Sequence, residues 1–171
     1  MPTRLLLMSD THVPHRARAI PPQLWAAVDA ADVVIHAGDW TGIPLLDELE
    51  ARAARLIGVR GNNDIDPAFR RLPEVAAAEI DGIRFVVTHI AEPTSREAKA
   101  AARFPDADVL VFGHSHIPWD TTSARRGQRP GLRLLNPGSP TDKRRQPHGT
   151  FVTAIADAGT LRDVEFVDVT V

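Results

Sequence analysis

Cysteine is absent from the 171-residue chain. The sequence therefore has no disulfide framework, no thiolate metal site and no cysteine nucleophile. Long apolar runs are also missing. The first apolar run is short and is followed directly by Ser9 and Asp10. That run is too short for a secretory signal or a membrane span. We expect a cytoplasmic protein.

Neither sign of charge is in large excess, since the formal net charge is −2. The composition therefore gives no reason to expect binding to nucleic acid or to membranes. An anionic substrate would need a local positive site, which bound metal could supply. Hydrophobic residues make up 43% and charged residues 25%, as in globular proteins. Without repeats or linkers, residues 1–171 are expected to form a single domain.

Short apolar runs and helical spacings alternate in the first half of the chain. The apolar runs predict buried strands over residues 5–8, 33–36 and 56–59, and a later one over 109–112. Helices are predicted from Pro21-Pro22 to about Ala30, around residues 45–49, and over residues 95–104. Strands that alternate with helices indicate a parallel sheet covered on both faces.

The pattern changes in the middle of the chain. Asp81-Gly82 lies between the apolar segments 75–80 and 83–88, which predicts a β-hairpin. From Trp119 onward the sequence predicts short strands and turns, with Ala158-Gly159 as a late hairpin. We expect a second, more antiparallel sheet there. The predicted fold class is α/β, with two packed mixed β-sheets flanked by helices.

Polar clusters follow the predicted strands, where ligands bind in open α/β sheets. The clusters contain two carboxylates, one amide and four imidazoles: Asp10, His12, Asp39, Asn62, His89, His114 and His116. Oxygen and nitrogen donors together suit Mn²⁺, Fe or Zn²⁺ better than Ca²⁺. Each motif alone is weak and fits a surface turn or a cap. Their order along the chain predicts a metal site.

The ordered motifs resemble the calcineurin-like metallophosphoesterase superfamily. They are Asp10-Thr11-His12, Gly38-Asp39, Gly61-Asn62-Asn63-Asp64, Thr88-His89 and Gly113-His114-Ser115-His116. The short chain and the late segment Asn136-Pro137-Gly138-Ser139 resemble its small bacterial and archaeal phosphodiesterase branch. The resemblance spans essentially the whole chain and implies a face-to-face packing of two sheets between helices.

The resemblance also implies a binuclear centre. Asp10, His12 and His116 would hold one metal ion. Asn62, His89 and His114 would hold the other, and Asp39 would bridge the two. A hydroxide between the ions would attack phosphorus. Mn²⁺ is the expected metal, with Fe, Zn²⁺ and Ni²⁺ as alternatives.

The sequence departs from the family pattern after Asn62. Larger relatives carry a histidine there that can assist the leaving group, whereas this chain has Asn63, which cannot donate a labile proton as imidazolium does. We assign Asn63 and Asp64 supporting catalytic roles. Asp64 has two possible roles. It orients Asn62 or a histidine ligand, or it is simply a turn residue. In addition, Ile90 follows His89 where many relatives have glycine.

Several other residues have two open interpretations. His36 lies inside an apolar strand, where it is either a core residue or a residue that orients a metal ligand. His15 and Arg60 lie beside the motifs, facing substrate or solvent. The basic run 143–145 is either a solvated surface or an attractor of anions. Trp40 packs in the core or lines the pocket. His148 is expected on the surface.

The predicted function is hydrolysis of a small phosphoester, most simply a phosphodiester. A phosphomonoesterase is the close alternative. A catalytically inactive scaffold is the alternative from another class, because one eukaryotic relative of the fold is a retromer coat subunit with an altered site. Here all seven ligand positions carry competent donors, which favours an enzyme. The physiological substrate and the oligomeric state are open, and a homo-oligomer is compatible with the sequence.

Overall fold

Ten strands and three α-helices make up the fold of a computed structural model that describes residues 1–170. The strands are β1 Thr3–Met8, β2 Val33–His36, β3 Leu56–Gly58, β4 Val75–Ile80, β5 Ile83–Thr88, β6 Val109–Val111, β7 Trp119–Thr122, β8 Arg133–Asn136, β9 Thr150–Asp157 and β10 Thr160–Asp168. The helices are α1 Pro22–Ala30, α2 Ile43–Arg52 and α3 Arg96–Arg103. A short 3-10 helix, Pro67–Arg71, was not predicted.

The strands form two five-stranded mixed sheets. The first has the order β10-β9-β1-β2-β3 and the second β4-β5-β6-β8-β7. In the first sheet β1, β2 and β3 are parallel, and in the second β5, β6 and β8 are parallel. The remaining pairs are antiparallel, two in each sheet, so the prediction that the second sheet is the more antiparallel one was wrong. The predicted fold class is confirmed.

Alternation along β1 shows how the layers pack. Leu5 and Leu7 join the core between the sheets, where they meet Phe85 and Val111 of the second sheet. Leu6 and Met8 point to the opposite face and pack under α1 and α2. On the far side, α3 covers the outer face of the second sheet. The order of the layers is therefore helices, sheet, sheet and helix.

The late hairpin around Ala158-Gly159 forms as predicted, but its placement in the second sheet was wrong. β9 pairs antiparallel with β1, so that β9 and β10 extend the first sheet. Both strands are long, with eight and nine residues. The pairing buries Val152 and Ala154 in the core between the sheets. No helix in residues 1–170 is long and apolar enough to cross a membrane.

Candidate metal centre

The seven predicted ligand residues lie in the loops at the carboxyl ends of five strands. Asp10 and His12 follow β1, Asp39 follows β2 and Asn62 follows β3. His89 follows β5, and both His114 and His116 come after β6. Since parallel strands end at a common edge, the two sheets bring these loops to one crevice.

The loop backbone is unusual at the donor residues. Asp10, Asp39 and His114 have φ values of 55°, 60° and 71°, and His12 and His116 are also left-handed. Non-glycine residues seldom adopt this conformation, and such strain concentrates at functional sites. The approach of the loops is also close, because a Cβ atom at Gly61 would overlap the Asp39 carboxylate.

One buried group of donors consists of Asp10, His12 and His116. His116 Nε2 lies 3.4 Å from Asp10 Oδ1, and His12 Nε2 lies 3.8 Å from the same oxygen. The two imidazole Nε2 atoms are 3.2 Å apart. Their ligand atoms thus converge on one volume of the size that a metal ion occupies.

A second buried group consists of Asp10, Asp39 and His89. His89 Nε2 lies 3.3 Å from Asp39 Oδ1 and 4.0 Å from Asp10 Oδ1. The other oxygen of Asp39, Oδ2, lies 3.5 Å from His12 Nε2. One oxygen of Asp39 therefore faces each group, as a bridging carboxylate requires. Asp10 belongs to both groups, which the motifs did not indicate.

The hydrogen bonds of His89 test whether the residues fit a cation. Its Nδ1 donates to the carbonyl oxygen of Ala37 at 2.7 Å, which leaves Nε2 facing the carboxylates. Among the described residues, His89 Nε2 is the only buried side-chain nitrogen or oxygen without a hydrogen-bond partner. Buried polar atoms are almost always paired, and metal-ligating histidines use their other nitrogen in this way. The donors fit a cation.

Charges in the cluster favour the same interpretation. Burial opposes ionisation of Asp39, yet the neighbouring His89 imidazole, with hydrogen bonds from Asn63, lowers the pKa of Asp39 below its usual value. Burial also works to lower the pKa of His89, but the Asp39 and Asp10 carboxylates outweigh it and raise that pKa. The carboxylates therefore attract positive charge at His89, and a divalent ion would satisfy them more fully than one proton.

Asn62 and His114 lie at the rim of the buried groups. His114 Nδ1 is 3.0 Å from Asn62 Oδ1, and both side chains are exposed. The His114 ring stands edge-on to His89, with 5.3 Å between centroids. Its backbone N–H donates to Asp10 Oδ2 at 3.0 Å. The two rim donors thus lie next to the second group.

Comparison with known proteins agrees with this geometry. The calcineurin-like phosphoesterase superfamily domain matches residues 3–159. The chain belongs to this superfamily. A probable metallophosphoesterase of Methanothermobacter thermautotrophicus is 34% identical over 165 residues, which cover 94% of this chain and 90% of the relative.

Two further relatives carry informative names. A phosphodiesterase of Methanocaldococcus jannaschii is 28% identical over 123 residues, which cover 64% of this chain and 71% of the relative. A crystal structure of Vps29 complexed with Zn²⁺ from Entamoeba histolytica is 25% identical, with a TM-score of 0.72. That similarity covers 98% of this chain and 99% of Vps29.

Asn63 and Asp64 of the phosphoesterase domain support the Asp39 loop. Asn63 donates to both Asp39 oxygens, from its backbone N–H at 2.9 Å and from Nδ2 at 2.7 Å. Asp64 accepts from the backbone N–H groups of Asp39, Thr41 and Gly61, at 2.7 to 3.0 Å. Asp64 therefore joins two loops through their backbones, and its side chain has no hydrogen bond to Asn62 or to a histidine ligand.

His36 is a buried support of the phosphoesterase site. Its Nδ1 accepts from the Gly38 N–H at 3.1 Å, so Nε2 carries the proton and donates to Thr11 Oγ1 at 3.0 Å. Complete burial lowers the pKa of His36 well below its ordinary value, which keeps the ring neutral. His36 thereby connects the loop after β1 to the loop after β2. Trp40 stacks on it at 3.5 Å and is fully buried, as a core residue.

The segment that follows β8 closes the site from the C-terminal side. Asn136 Nδ2 donates to the Gly113 carbonyl at 3.0 Å, and Ser139 Oγ donates to the Asp10 carbonyl at 2.8 Å. Thr141 Oγ1 donates to the Thr11 carbonyl at 2.7 Å, and the Asp142 carbonyl accepts from His116 Nδ1 at 2.6 Å. In the sequence the Asn136–Ser139 motif had indicated only the family resemblance, and no local signal marked Thr141 and Asp142.

The remaining candidates lie at the surface. Arg60 is half-buried and forms an ion pair with Glu74 at 2.7 Å. His15 and His148 are exposed, as are the side chains of the basic run 143–145. Within this run, Arg144 Nε lies 4.0 Å from Asp142 Oδ2. None of these side chains belongs to the two buried groups of donors.

Proposed function

We propose that the phosphoesterase domain is a phosphodiesterase that uses two divalent metal ions, with Mn²⁺ as the expected metal. The observation that carries this proposal is the pair of buried donor groups with Asp39 between them. The unpartnered His89 Nε2 supports the same assignment. Two-metal hydrolases place their ions a few ångströms apart and share a ligand between them.

The residues divide between the two ions as the family motifs imply. Asp10, His12 and His116 would hold one ion and His89, with the rim donors Asn62 and His114, the other, with Asp39 as the bridge. Bound divalent ions lower the pKa of water and stabilise negative charge on a phosphoryl group. Vps29 binds Zn²⁺ on the same fold, which supports Zn²⁺ as an alternative to Mn²⁺.

Charge in the centre suits a phosphodiester anion. Two carboxylates, Asp10 and Asp39, face two divalent cations, so the occupied centre keeps a net positive charge. Hydrolysis forms a bond from a water oxygen to phosphorus and breaks one bond to an ester oxygen. The released alcohol takes up the proton that the water loses. The positive centre would therefore both bind the anion and stabilise the charge that develops.

Asn63 bears on the choice of leaving group. Its side chain donates to Asp39, and an amide supplies no labile proton to an alkoxide. A positioned general acid typically contributes on the order of 10²–10⁴-fold. We therefore expect aryl diesters to react much faster than alkyl diesters. The name of the Methanocaldococcus relative, a phosphodiesterase, supports a diester over a monoester.

A catalytically inactive scaffold is the second candidate, because Vps29 shares the fold and the fold alone does not determine function. The complete donor set favours the enzyme. The cytoplasmic location and a homo-oligomer stay predictions.

Metal analysis and turnover test the proposal together. Protein reconstituted with Mn²⁺ should contain about two ions per chain and hydrolyse bis(p-nitrophenyl) phosphate. Chelation should remove the metal ions and abolish the hydrolysis. The matched variants are His89→Ala, which should lose one ion, and His148→Ala, an exposed histidine that should lose none. Fewer than one ion per chain in the intact protein would exclude the binuclear centre. Two bound ions without turnover of any ester would favour the scaffold.

A further inference from the structure

A pocket of about 350 Å³ opens beside the second donor group. Asn62 and His89 form part of its wall, so its contents lie against the proposed metal centre. Pockets for small ligands typically begin at about this volume. The pocket is large enough for a group attached to the phosphate that the metal ions hold.

Two exposed hydrophobic side chains line this pocket. Val75 begins β4 and is 38% exposed, and Ile90 directly follows His89 and is 43% exposed. A single exposed hydrophobic residue carries no functional information. Here both lie in one concavity that is continuous with a catalytic centre, which is where apolar surface contributes to ligand binding.

The pocket lining carries charges of both signs. Its lining contains two arginines and two glutamates, Arg60, Arg103, Glu74 and Glu92. Glu74 pairs with Arg60 at 2.7 Å, and Glu92 pairs with Lys99 at 3.6 Å. Two positive and two negative side chains make the formal charge of the lining zero, and Val75 and Ile90 add exposed hydrophobic surface to it.

We propose that this pocket binds one ester arm of the substrate and that the arm has an apolar face, as in an aryl diester. Ile90 and Val75 determine the specificity for that arm. The inference rests on the proposed phosphodiesterase function and deepens it, because it assigns a chemical class to the substituent on phosphorus. Burial of an aryl ring against these side chains stabilises binding in proportion to the apolar area covered.

Ile90 and Ile117 provide a matched pair of variants. Each directly follows a histidine of the donor set, and their exposures are 43% and 44%. Only Ile90 lines the pocket. Ile90→Ser and Ile117→Ser leave the charge of the centre unchanged, and neither removes a core side chain. Val75→Ser is the second variant in the pocket, and it changes the first residue of β4.

The probes are diphenyl phosphate and dimethyl phosphate, whose identical arms remove any ambiguity about which arm enters the pocket. Their apparent binding constants are measured by competition, as inhibition of the initial rate of bis(p-nitrophenyl) phosphate hydrolysis by the protein loaded with Mn²⁺. We expect the intact protein and Ile117→Ser to bind diphenyl phosphate on the order of tenfold more tightly than dimethyl phosphate. Ile90→Ser and Val75→Ser should each reduce this preference at least about threefold.

The outcomes separate this inference from the proposed function. An equal preference in all four proteins, or an equal reduction in Ile90→Ser and Ile117→Ser, would overturn the pocket assignment. Turnover of bis(p-nitrophenyl) phosphate by the same intact sample would leave the phosphodiesterase standing in that case. Absence of turnover with two ions bound would instead overturn the function on which the inference rests. Circular dichroism and melting temperature verify that each variant is folded.

Discussion

Arg4 of β1 holds Asp32, the residue directly before β2, with its guanidinium and its own backbone N–H at 2.8 to 3.0 Å. Arg84 of β5 holds Asp108, directly before β6, through the same three atoms at 2.9 to 3.0 Å. Each aspartate also donates its backbone N–H to the carbonyl of its arginine. We call these two arrangements the Arg–Asp clamps. The two sheets thus begin a central parallel strand pair in the same way.

At the opposite end of the same strand pairs the chemistry differs. The first sheet supplies both carboxylates of the buried groups, Asp10 and Asp39, together with His12, whereas the second supplies His89 and His116. Two buried carboxylates alone would repel each other and lose hydration. The comparison teaches that each of the two donor groups takes residues from both sheets. The candidate centre lies where an acidic half, which also carries His12, meets a half that supplies only imidazoles.

The loops after β2 and β6 extend this comparison. Both place a glycine directly before a donor residue, as Gly38-Asp39 and Gly113-His114. Two positions before the glycine, the first sheet has His36 and the second has Val111, and both are buried. The acidic loop therefore has a polar anchor on its own strand, whereas the imidazole loop takes its polar support from Asn136 of β8.

Removal of charge from the acidic half should have the largest effect. Asp39→Asn keeps the size of the side chain but removes the charge of the proposed bridge. Since even the partners of metal ligands affect activity about 10–100-fold, we expect turnover to fall at least about 100-fold, with loss of at least one metal ion. The measurements are kcat at saturating Mn²⁺ and the metal content of the purified variant.

Asp32→Asn is the matched control, because it makes the same change on the same sheet at the clamp end. Its turnover should remain close to that of the intact protein. Comparable kcat values for Asp39→Asn and the intact protein would contradict the bridging assignment.

Much of this arrangement could be predicted from the sequence, because short apolar runs and the motifs that follow them are local signals. The run that ends at His36 and the Gly38-Asp39 pair, for example, locate both a strand and a candidate ligand. The parallel order then places the motifs at one edge. The left-handed backbone at Asp10 and His116 was not predictable, since only the packed loops impose it on non-glycine residues.

The long-range pairing of the strands could not be predicted from the sequence, for a physical reason. β9 resembles any alternating strand, and its place beside β1 depends on which sheet edge can bury Val152 and Ala154. The support from Thr141 and Asp142 was missed for the same reason. Their contacts to Thr11 and His116 join residues more than 25 positions apart, and no spacing rule connects them.

Replacement of the polar anchor should have an intermediate effect. His36→Val gives the first sheet the residue that the second has at the equivalent place. The buried Gly38 N–H and Thr11 hydroxyl then lose their partner, which costs about 1–3 kcal/mol for each unsatisfied group. We also expect Mn²⁺ affinity to fall about 10–100-fold. Urea unfolding of the metal-free protein and titration with Mn²⁺ measure the two effects.

His36→Gln is the conservative control, because an amide offers one donor side and one acceptor side. It should recover part of the metal affinity. A purely structural role for His36 would appear as reduced stability in His36→Val with unchanged Mn²⁺ affinity.

The smallest effect is expected from the Arg–Asp clamps, and it distinguishes the two sheets at the end where they look alike. Asp32→Asn and Asp108→Asn should each lower Tm at pH 7 by no more than about 3 °C, because exposed ion pairs contribute little. Asp108→Asn should have the larger effect. Asp108 also accepts from Arg129 at 3.1 Å, and its side chain is 32% exposed against 43% for Asp32.

The pH dependence of this difference follows from the pKa of Asp32. The hydrogen bonds from the Arg4 side chain and backbone lower it from the usual 3.8 to about 2. A carboxylate with a lowered pKa stabilises the folded state above its unfolded pKa, and the contribution disappears as the pH falls through the folded value. The Tm difference between the intact protein and Asp32→Asn should therefore be fully present at pH 7 and shrink below about pH 4. Thermal melts of the metal-free proteins at pH 7 and pH 3 measure it. A difference that is equal at both pH values would mean that the shape of the clamp, and not its charge, fixes the start of the strand pair.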